Sequence, residues 1–197
     1  MNFLAHLYLS EGDPKIMVGN FIGDFVKGRQ ALAKFEARIA TGIELHRAID
    51  EFTDSHPVVQ ASKNRLRPKY RHYSGVIVDI FYDHFLARNW HEFHETLLPD
   101  FADHSYGVLQ RHEDVLPQEV NWMLPYMIKG NWLVNYARTE GVHRALSGMA
   151  RRTPYTSRMD EAAGDLVAHY EAFEQEFKGF FPELEKFSNT FLAQRLQ

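Results

Sequence analysis

Eight histidine and aspartate side chains lie within strongly apolar, helix-like segments of the sequence. The segment VIVDIFYDHFL, Val76 to Leu86, is the clearest case, because two aspartates and one histidine interrupt its apolar run. An unpaired charge inside a protein is costly, so buried carboxylates are paired with a cationic group or bind a metal ion. Metal binding by His and Asp is the simplest common explanation for all eight residues, which are His6, Asp24, His46, Asp50, Asp54, Asp79, Asp83 and His84.

His46, Asp50 and Asp54 recur every four residues and would form one stripe along a helix. At a rise of about 1.5 Å per residue, His46 and Asp54 would be roughly 12 Å apart along the axis, too far for one ion. His46 and Asp50 can share an ion. Asp54 could then bind a second ion, hydrogen-bond to the residues that hold the first ion, or lie beside the substrate.

Three further segments add residues of the same types. Asp79 and Asp83 repeat the four-residue spacing, with His84 displaced by about 100° around the helix axis. Asp24 and His6 lie in the apolar segments NFIGDF and NFLAHL. A mixed nitrogen and oxygen ligand set suits manganese, iron, magnesium or zinc, and the lack of sulfur argues against a closed structural zinc site. Each residue alone is as well explained by hydrogen bonding in the core, so the set carries the metal interpretation.

Length and composition predict one globular domain covering residues 1–197, since 45% of the residues are hydrophobic. The formal charge of −4 gives no general attraction to nucleic acid. The lack of cysteine excludes disulfides and thiolate catalysis and fits a cytoplasmic location. The opening MNFLAHLYLS is a poor signal peptide, and no apolar run approaches the roughly 20 residues needed to span a membrane. We therefore expect a soluble protein without a membrane or nucleic-acid partner; its oligomeric state is not predicted.

Helical spacing dominates the chain, which predicts an all-α fold. A loop is expected after Pro99, and prolines are expected to begin, kink or end several helices. The predicted helices are Pro14 to about Gly28, Ala31 to Phe35, Ile39 or Thr41 to Pro57, Pro57 to about Pro68, Tyr73 to Phe93, Pro117 onwards with a kink or break at Pro125, Asn131 to Tyr136, Thr139 to Ala150, Asp160 to Phe177, and Pro182 to Gln197.

Five basic residues are candidates for contacts with phosphate or an acidic partner. Arg151 and Arg152 lie in GMARRTP, just after a predicted helix, and Lys27, Arg29 and Arg47 lie close in sequence to the proposed ligands. Arginine pairs bidentately with phosphate oxygens, which makes it suited to such contacts. Each of the five, taken alone, is also consistent with an ordinary surface charge.

At these residues the sequence resembles the acyl carrier protein phosphodiesterases. The matching segments are MNFLAHLYLS, GNFIGDFVKG, GIELHRAIDEFTD, VDIFYDHFLARNW and GMARR. The resemblance implies a compact helical fold similar to that of the HD phosphohydrolases, with a divalent-metal site for which manganese is favoured. It also implies hydrolysis of the phosphodiester that joins 4′-phosphopantetheine to a serine of holo acyl carrier protein. Because carrier proteins are acidic, a basic face near Lys27, Arg29 and Arg47 is expected.

The resemblance also suggests roles for the ligand candidates. His46 and Asp50 fall in HRAID and are expected to hold the ion together with Asp79 or Asp83, which fall in DIFYDH. Asp24 is expected to act as a ligand or as a base. The contiguous His-Asp dyad of ordinary HD proteins is missing, so ligands cannot be transferred one by one from those enzymes.

Some questions stay open at this level. His6, His56 or His84 could protonate the serine leaving group, and the sequence does not choose among them. The nearest alternative is an HD-like phosphohydrolase of a nucleotide or another small phosphoester. A di-iron carboxylate enzyme would need Glu-x-x-His pairs that the metal-rich stripes lack. A non-catalytic module that binds an acidic partner would not explain aspartates in apolar helices.

Overall fold

The structure, a computed structural model, describes residues 1–28 and 30–196. All regular elements in these residues are helical, which confirms the predicted all-α class. The α-helices are α1 Phe3–Tyr8, α2 Pro14–Ile22, α3 Ala37–Ser55, α4 Pro57–Tyr70, α5 Ser74–Arg88, α6 Leu98–Arg111, α7 Gln118–Lys129, α8 Trp132–Asn135, α9 Thr139–Arg152, α10 Ala162–Ala168 and α11 Tyr170–Arg195. Short 3₁₀ turns are Gly23–Phe25, Gln30–Lys34, Arg71–Tyr73, Trp90–Glu92 and Met159–Glu161.

Two of the predicted helix starts are formed by proline together with a capping side chain. Pro14 opens α2, where the Asp13 carboxylate accepts hydrogen bonds from the backbone N–H groups of Lys15 and Ile16, at 2.9 and 3.1 Å. Pro57 opens α4 in the same way, behind the helix cap His56. Proline suits the first turn because its missing N–H would have no partner inside the helix.

Two predictions around prolines were wrong. The segment after Pro99 is a helix, α6, because Pro99 lies in its first turn and begins the helix instead of leading into a loop. Pro182 does not begin a separate helix but lies inside α11. The apolar face on both sides of Pro182, including Phe177 and Leu184, is buried, and this packing outweighs the single backbone hydrogen bond that proline removes.

Helices α2 and α3 approach each other so closely that their backbones touch. A β-carbon on Gly19 would lie 2.0 Å from the carbonyl oxygen of Ile39, and one on Gly42 would lie 2.3 Å from that of Ile16. Both positions therefore require glycine. The close approach places the end of α2 against the part of α3 that carries His46.

Helix α5 lies in the centre of the core and is buried on nearly every side. It contacts α1, α4, α9 and α11. The ring of Phe81 meets that of Phe173 edge-on at 5.1 Å, and Phe85 meets Tyr170 at 5.1 Å, both partners belonging to α11. None of the helices in residues 1–28 and 30–196 is both long enough and apolar enough to cross a bilayer.

Candidate active site

Three side chains from two helices converge beneath the surface. His6 of α1, His46 of α3 and Asp50 of α3 each offer one potential ligand atom, and these atoms lie within 4.8 Å of one another. The two imidazole rings are stacked, with centroids 3.9 Å apart and planes 17° from parallel. Both histidines are almost fully buried, with exposed fractions of 2% for His6 and 4% for His46.

Asn20 of α2 fixes the orientation of both rings. His6 Nδ1 lies 2.8 Å from the side-chain oxygen of Asn20, and His46 Nδ1 lies 2.7 Å from its backbone oxygen. The Asn20 amide nitrogen donates to the His6 carbonyl and to Ser10, which identifies the other amide atom as the oxygen. Since an oxygen of either kind accepts, each Nδ1 must carry the proton. The Nε2 atom of each neutral ring therefore presents a lone pair.

Carboxylate oxygens face both Nε2 atoms. His6 Nε2 lies 3.3 Å from Asp50 Oδ1, and His46 Nε2 lies 3.2 Å from both Asp50 Oδ2 and Asp24 Oδ1. Within the described residues neither Nε2 makes a hydrogen bond of good geometry. Lone pairs facing carboxylates repel each other unless a proton or a cation lies between them. Ligand atoms about 2.1 Å from a single ion are roughly 3.0 to 3.4 Å from their neighbours, so the donor set fits a cation.

The same contacts give the two imidazole rings different pKa values. Burial lowers the pKa of His6 to about 4, and the neighbouring charge of His46 adds to this effect. Burial alone would also lower the pKa of His46, but Asp24 and Asp50 raise it to about 9. In return His46 holds the pKa of the Asp24 carboxyl below its ordinary value. The pair of rings thus carries one positive charge near neutral pH, in the place that a metal cation would take.

Asp79 lies next to this group but is not a member of it. The Met1 amine is 3.1 Å from Asp79 Oδ1 and 3.4 Å from Asp50 Oδ1, so the ammonium separates the two carboxylates. Burial alone would lower the pKa of this amine, but Asp79 and Asp50 raise it to about 10. Asp79 also lines an open cavity of about 800 Å³ together with Asp54, which is ion-paired with Lys63 at 2.6 Å.

Asp83, also predicted to be a ligand, contacts the start of α1 instead. Its two oxygens accept hydrogen bonds from the backbone N–H groups of Leu4 and Ala5, at 2.8 and 3.2 Å. Asp83 is fully buried, and burial raises the pKa of its carboxyl to about 7. Its position shows a structural contribution: it anchors the helix that carries His6. The geometry does not bring Asp83 to the His6–His46–Asp50 group, and its metal role stays a prediction without support here.

His84 lies elsewhere in the core. Its Nδ1 donates to the carbonyl oxygen of Tyr136 at 2.7 Å, and its Nε2 lies 2.9 Å from the hydroxyl of Tyr170. Burial lowers the pKa of His84. His56, the third candidate proton donor, accepts from the N–H of Val58 as the cap of α4. The structure therefore does not bring His84 or His56 to the group.

The five basic candidates divide into separate regions. The Arg47 guanidinium donates to the carbonyl oxygens of Val26 and Gly28, at 2.7 and 3.3 Å, and so braces the segment after Asp24. Lys27, in that segment, is exposed, and Arg29 lies outside the described residues. Arg151 and Arg152 are exposed at the end of α9, where both line a cavity of about 730 Å³.

Sequence reasoning missed Asn20, although it supports both imidazoles. Asn20 is a fully buried polar residue in the apolar run GNFIGD. The signal that selected the aspartates, a polar side chain in an apolar helical segment, would also have selected Asn20. It was overlooked because asparagine is not a usual metal ligand of a His and Asp site.

The fold and the site together define an all-α protein with a buried histidine–aspartate centre. Residues 1–184 match the model of the acyl carrier protein phosphodiesterase family. A protein of Photorhabdus laumondii with that name is 34% identical over 183 residues, covering 92% of each chain. Namesakes in an Enterobacter species and in Yersinia enterocolitica are 35% and 32% identical, each covering 93% of this chain and 95% of its own. The chain belongs to the acyl carrier protein phosphodiesterase family.

No solved structure matches the chain at a significant level. The similarity to the HD phosphohydrolase fold therefore stays a prediction from the sequence resemblance. The all-α architecture itself is observed directly.

Proposed function

We propose that this protein hydrolyses the phosphodiester between 4′-phosphopantetheine and a serine of holo acyl carrier protein. The products are apo carrier protein and free 4′-phosphopantetheine. Membership of the family over residues 1–184 supports this substrate. The observation that carries the chemistry is the convergence of two buried Nε2 atoms, from His6 and His46, on the carboxylate of Asp50.

His6, His46 and Asp50 would hold one divalent cation, with Asp24 beside His46. The set offers two imidazole nitrogens and carboxylate oxygens, which suits manganese, with iron, zinc or magnesium as further candidates. When bound, such a cation activates water and neutralises charge on a phosphoryl group. The fit is supported by ligand-atom separations of 3.2 to 3.3 Å between the nitrogens and the carboxylate oxygens.

Asp24 borders this ligand set and faces solvent. Its side chain is 73% exposed, whereas that of Asp50 is 38% exposed. Its contact with His46 keeps the pKa of its carboxyl low, so Asp24 is ionised at neutral pH. We assign to Asp24 the acceptance of a proton from the attacking water, because it is the ionised group that borders both the ligand set and the solvent.

The proton for the leaving serine is assigned neither to His6 nor to His84. His6 has a pKa of about 4 and its Nδ1 proton is committed to Asn20, so it is a poor donor at neutral pH. His84 is bound between Tyr136 and Tyr170 and lies outside the group. A proton from solvent, or the positive charge at the site, would then serve the leaving oxygen.

Lys27 is our candidate for contact with the acidic carrier protein. It is exposed and lies three residues after Asp24, in the segment that Arg47 braces. Exposed contacts of this kind weaken with salt, because charges are screened within about 8 Å at physiological ionic strength. We assign Arg47 to positioning this segment. Arg29 lies outside the described residues and stays a candidate from the sequence.

The test is the intact mass of purified holo acyl carrier protein after incubation with this protein and Mn²⁺. Loss of one phosphopantetheine group, blocked by a chelator and absent with Asp50→Asn, is the expected result. Asp103→Asn is the matched control, since Asp103 is an exposed aspartate on α6. An unchanged carrier mass with Mn²⁺ bound to the protein would contradict the proposed substrate and favour a small phosphoester.

A further inference from the structure

A cavity of about 730 Å³ lies between α7, α8 and α9 and the segments that carry His6 and Asp24. This volume falls within the roughly 300 to 1,000 Å³ typical of small-molecule sites. Its wall is mainly apolar. The apolar side chains that line it are Phe3, Phe25, Met123, Trp132, Ala145 and Met149.

The cavity is adjacent to the candidate active site along two chain segments. Phe3 lies three residues before His6 on α1, on the same side of that helix. Phe25 follows Asp24 directly in the 3₁₀ turn. The cavity is therefore lined in part by chain neighbours of His6 and Asp24.

The charged residues of the cavity favour an anionic ligand. Arg144, Arg151 and Arg152 line it together with a single carboxylate, Glu119. Arginine pairs with phosphate oxygens through two parallel hydrogen bonds. A mainly apolar wall with arginines fits an elongated ligand that has a partly apolar body and a phosphate.

The other large cavity near the site is less suited to such a ligand. It has about 800 Å³, and its lining holds two carboxylates, Asp54 and Asp79, beside the cationic side chains of Lys63, Arg67 and Arg71. Val76 is its main apolar residue. Both cavities carry arginines, so the apolar wall is what makes the cavity between α7, α8 and α9 the better fit for a ligand with a partly apolar body.

We propose that the cavity between α7, α8 and α9 binds the 4′-phosphopantetheine arm during hydrolysis, with the phosphate towards the segments that carry His6 and Asp24. The proposal rests on the proposed function and adds a binding site for the non-reacting part of the substrate. Binding energy from such remote groups orients the scissile bond. Filling the cavity should therefore affect recognition of the arm.

Gly148 offers a direct way to fill the cavity. It lines the cavity on α9, and a β-carbon added there would meet no atom of the described residues within 4 Å. The variant Gly148→Trp therefore places an indole in open space. Gly179→Trp is the matched control, because Gly179 is exposed on α11 and is equally unobstructed.

The experiment measures binding of free 4′-phosphopantetheine by isothermal titration calorimetry, and turnover of holo carrier protein by the same proteins. Gly148→Trp should raise Kd and KM at least tenfold, whereas Gly179→Trp should change neither. Arg151→Glu with Arg152→Glu, both at exposed positions, should weaken binding to a similar extent and covers the case in which Gly148→Trp fails to fold.

The outcomes separate the two proposals. Equal Kd values for wild type, Gly148→Trp and the double arginine variant, or no binding by the wild type, would overturn the arm site. Wild-type protein that binds 4′-phosphopantetheine but leaves holo carrier protein intact would contradict the proposed function. In that case the Kd comparison still decides the binding site.

Discussion

The imidazole rings of His6 and His46 lie stacked, with their centroids 3.9 Å apart and their planes 17° from parallel. Two stacked rings repel each other if both are protonated, so the pair holds one positive charge at most near neutral pH. Both rings are fixed through Nδ1 by Asn20, and both turn Nε2 towards Asp50. This arrangement is the structural basis of the proposed cation site in a chain without cysteine.

The first prediction concerns Asn20→Ala. Removing the side-chain oxygen frees His6 Nδ1, so the ring loses its fixed tautomer and orientation. Loss of a partner that orients a metal-ligating histidine typically costs about 10- to 100-fold in metal affinity, and we expect this range for Mn²⁺. Calorimetric titration with Mn²⁺ is the measurement. Asn189→Ala, at an exposed position on α11, is the control; equal affinities of both variants would refute the role of Asn20.

The second prediction is that protons and cations compete for the site. Asp24 and Asp50 raise the pKa of His46 to about 9 against the effect of burial, so this ring is protonated at pH 7. His6, with a pKa of about 4, is already neutral. Cation binding should therefore release one proton, and affinity should rise about tenfold per pH unit as the pH increases towards 9. Titrations in buffers of different ionisation enthalpy count the protons. If no proton is released between pH 6 and 8, the cation does not displace the proton of His46, and the prediction is wrong.

The third prediction uses the contact between Gly23 and His46. A β-carbon on Gly23 would lie 2.2 Å from Cγ of the His46 ring, so Gly23→Ala must displace that ring. We expect at least a tenfold loss of Mn²⁺ affinity and of hydrolysis. Gly164→Ala on α10 is the control, because a β-carbon there meets no described atom within 4 Å. This control should be as active as the wild type and more stable by roughly 0.5 to 1 kcal/mol. Full activity of Gly23→Ala would place the reaction away from His46.

The fourth prediction distinguishes the roles of Asp83 and Asp50. Asp83→Ala leaves the N–H groups of Leu4 and Ala5 without their acceptor, and each unsatisfied buried group costs about 1 to 3 kcal/mol. The free energy of unfolding should fall accordingly, while binding of one Mn²⁺ per chain is retained at saturating concentration. Asp50→Asn should abolish that binding.

Denaturant unfolding and calorimetry on the two variants provide the measurements. The reverse result, with binding lost in Asp83→Ala and kept in Asp50→Asn, would restore Asp83 as the ligand and exclude Asp50.

Residue spacing in the sequence alone predicted much of the candidate site. The four-residue interval between His46 and Asp50 predicted that both could meet one ion, and they lie in one group in the structure. Asp24 was selected as a carboxylate in an apolar run, and it is 3.2 Å from His46. Local periodicity suffices here because the two α3 residues need only the helix itself to bring them together.

The rest depends on how separate helices pack, which periodicity does not determine. Asp79 and Asp83 have the same spacing as His46 and Asp50, yet Asp83 anchors α1 and Asp79 faces the Met1 amine. His84 differs from Asp83 by one position and contacts Tyr136 instead. Nothing local distinguishes a carboxylate that binds a cation from one that binds backbone N–H groups. The two prolines show the same limit: Pro99 lies in the first turn of α6, whereas Pro182 lies inside α11.

The most direct test of the cation site is anomalous X-ray diffraction from crystals of the protein grown with Mn²⁺. We expect one strong anomalous peak about 2.0 to 2.3 Å from the Nε2 atoms of His6 and His46, with Asp50 completing the contact. This peak should be missing from crystals of His46→Ala. A peak between Asp79 and Asp83, or one that persists without His46, would contradict the account.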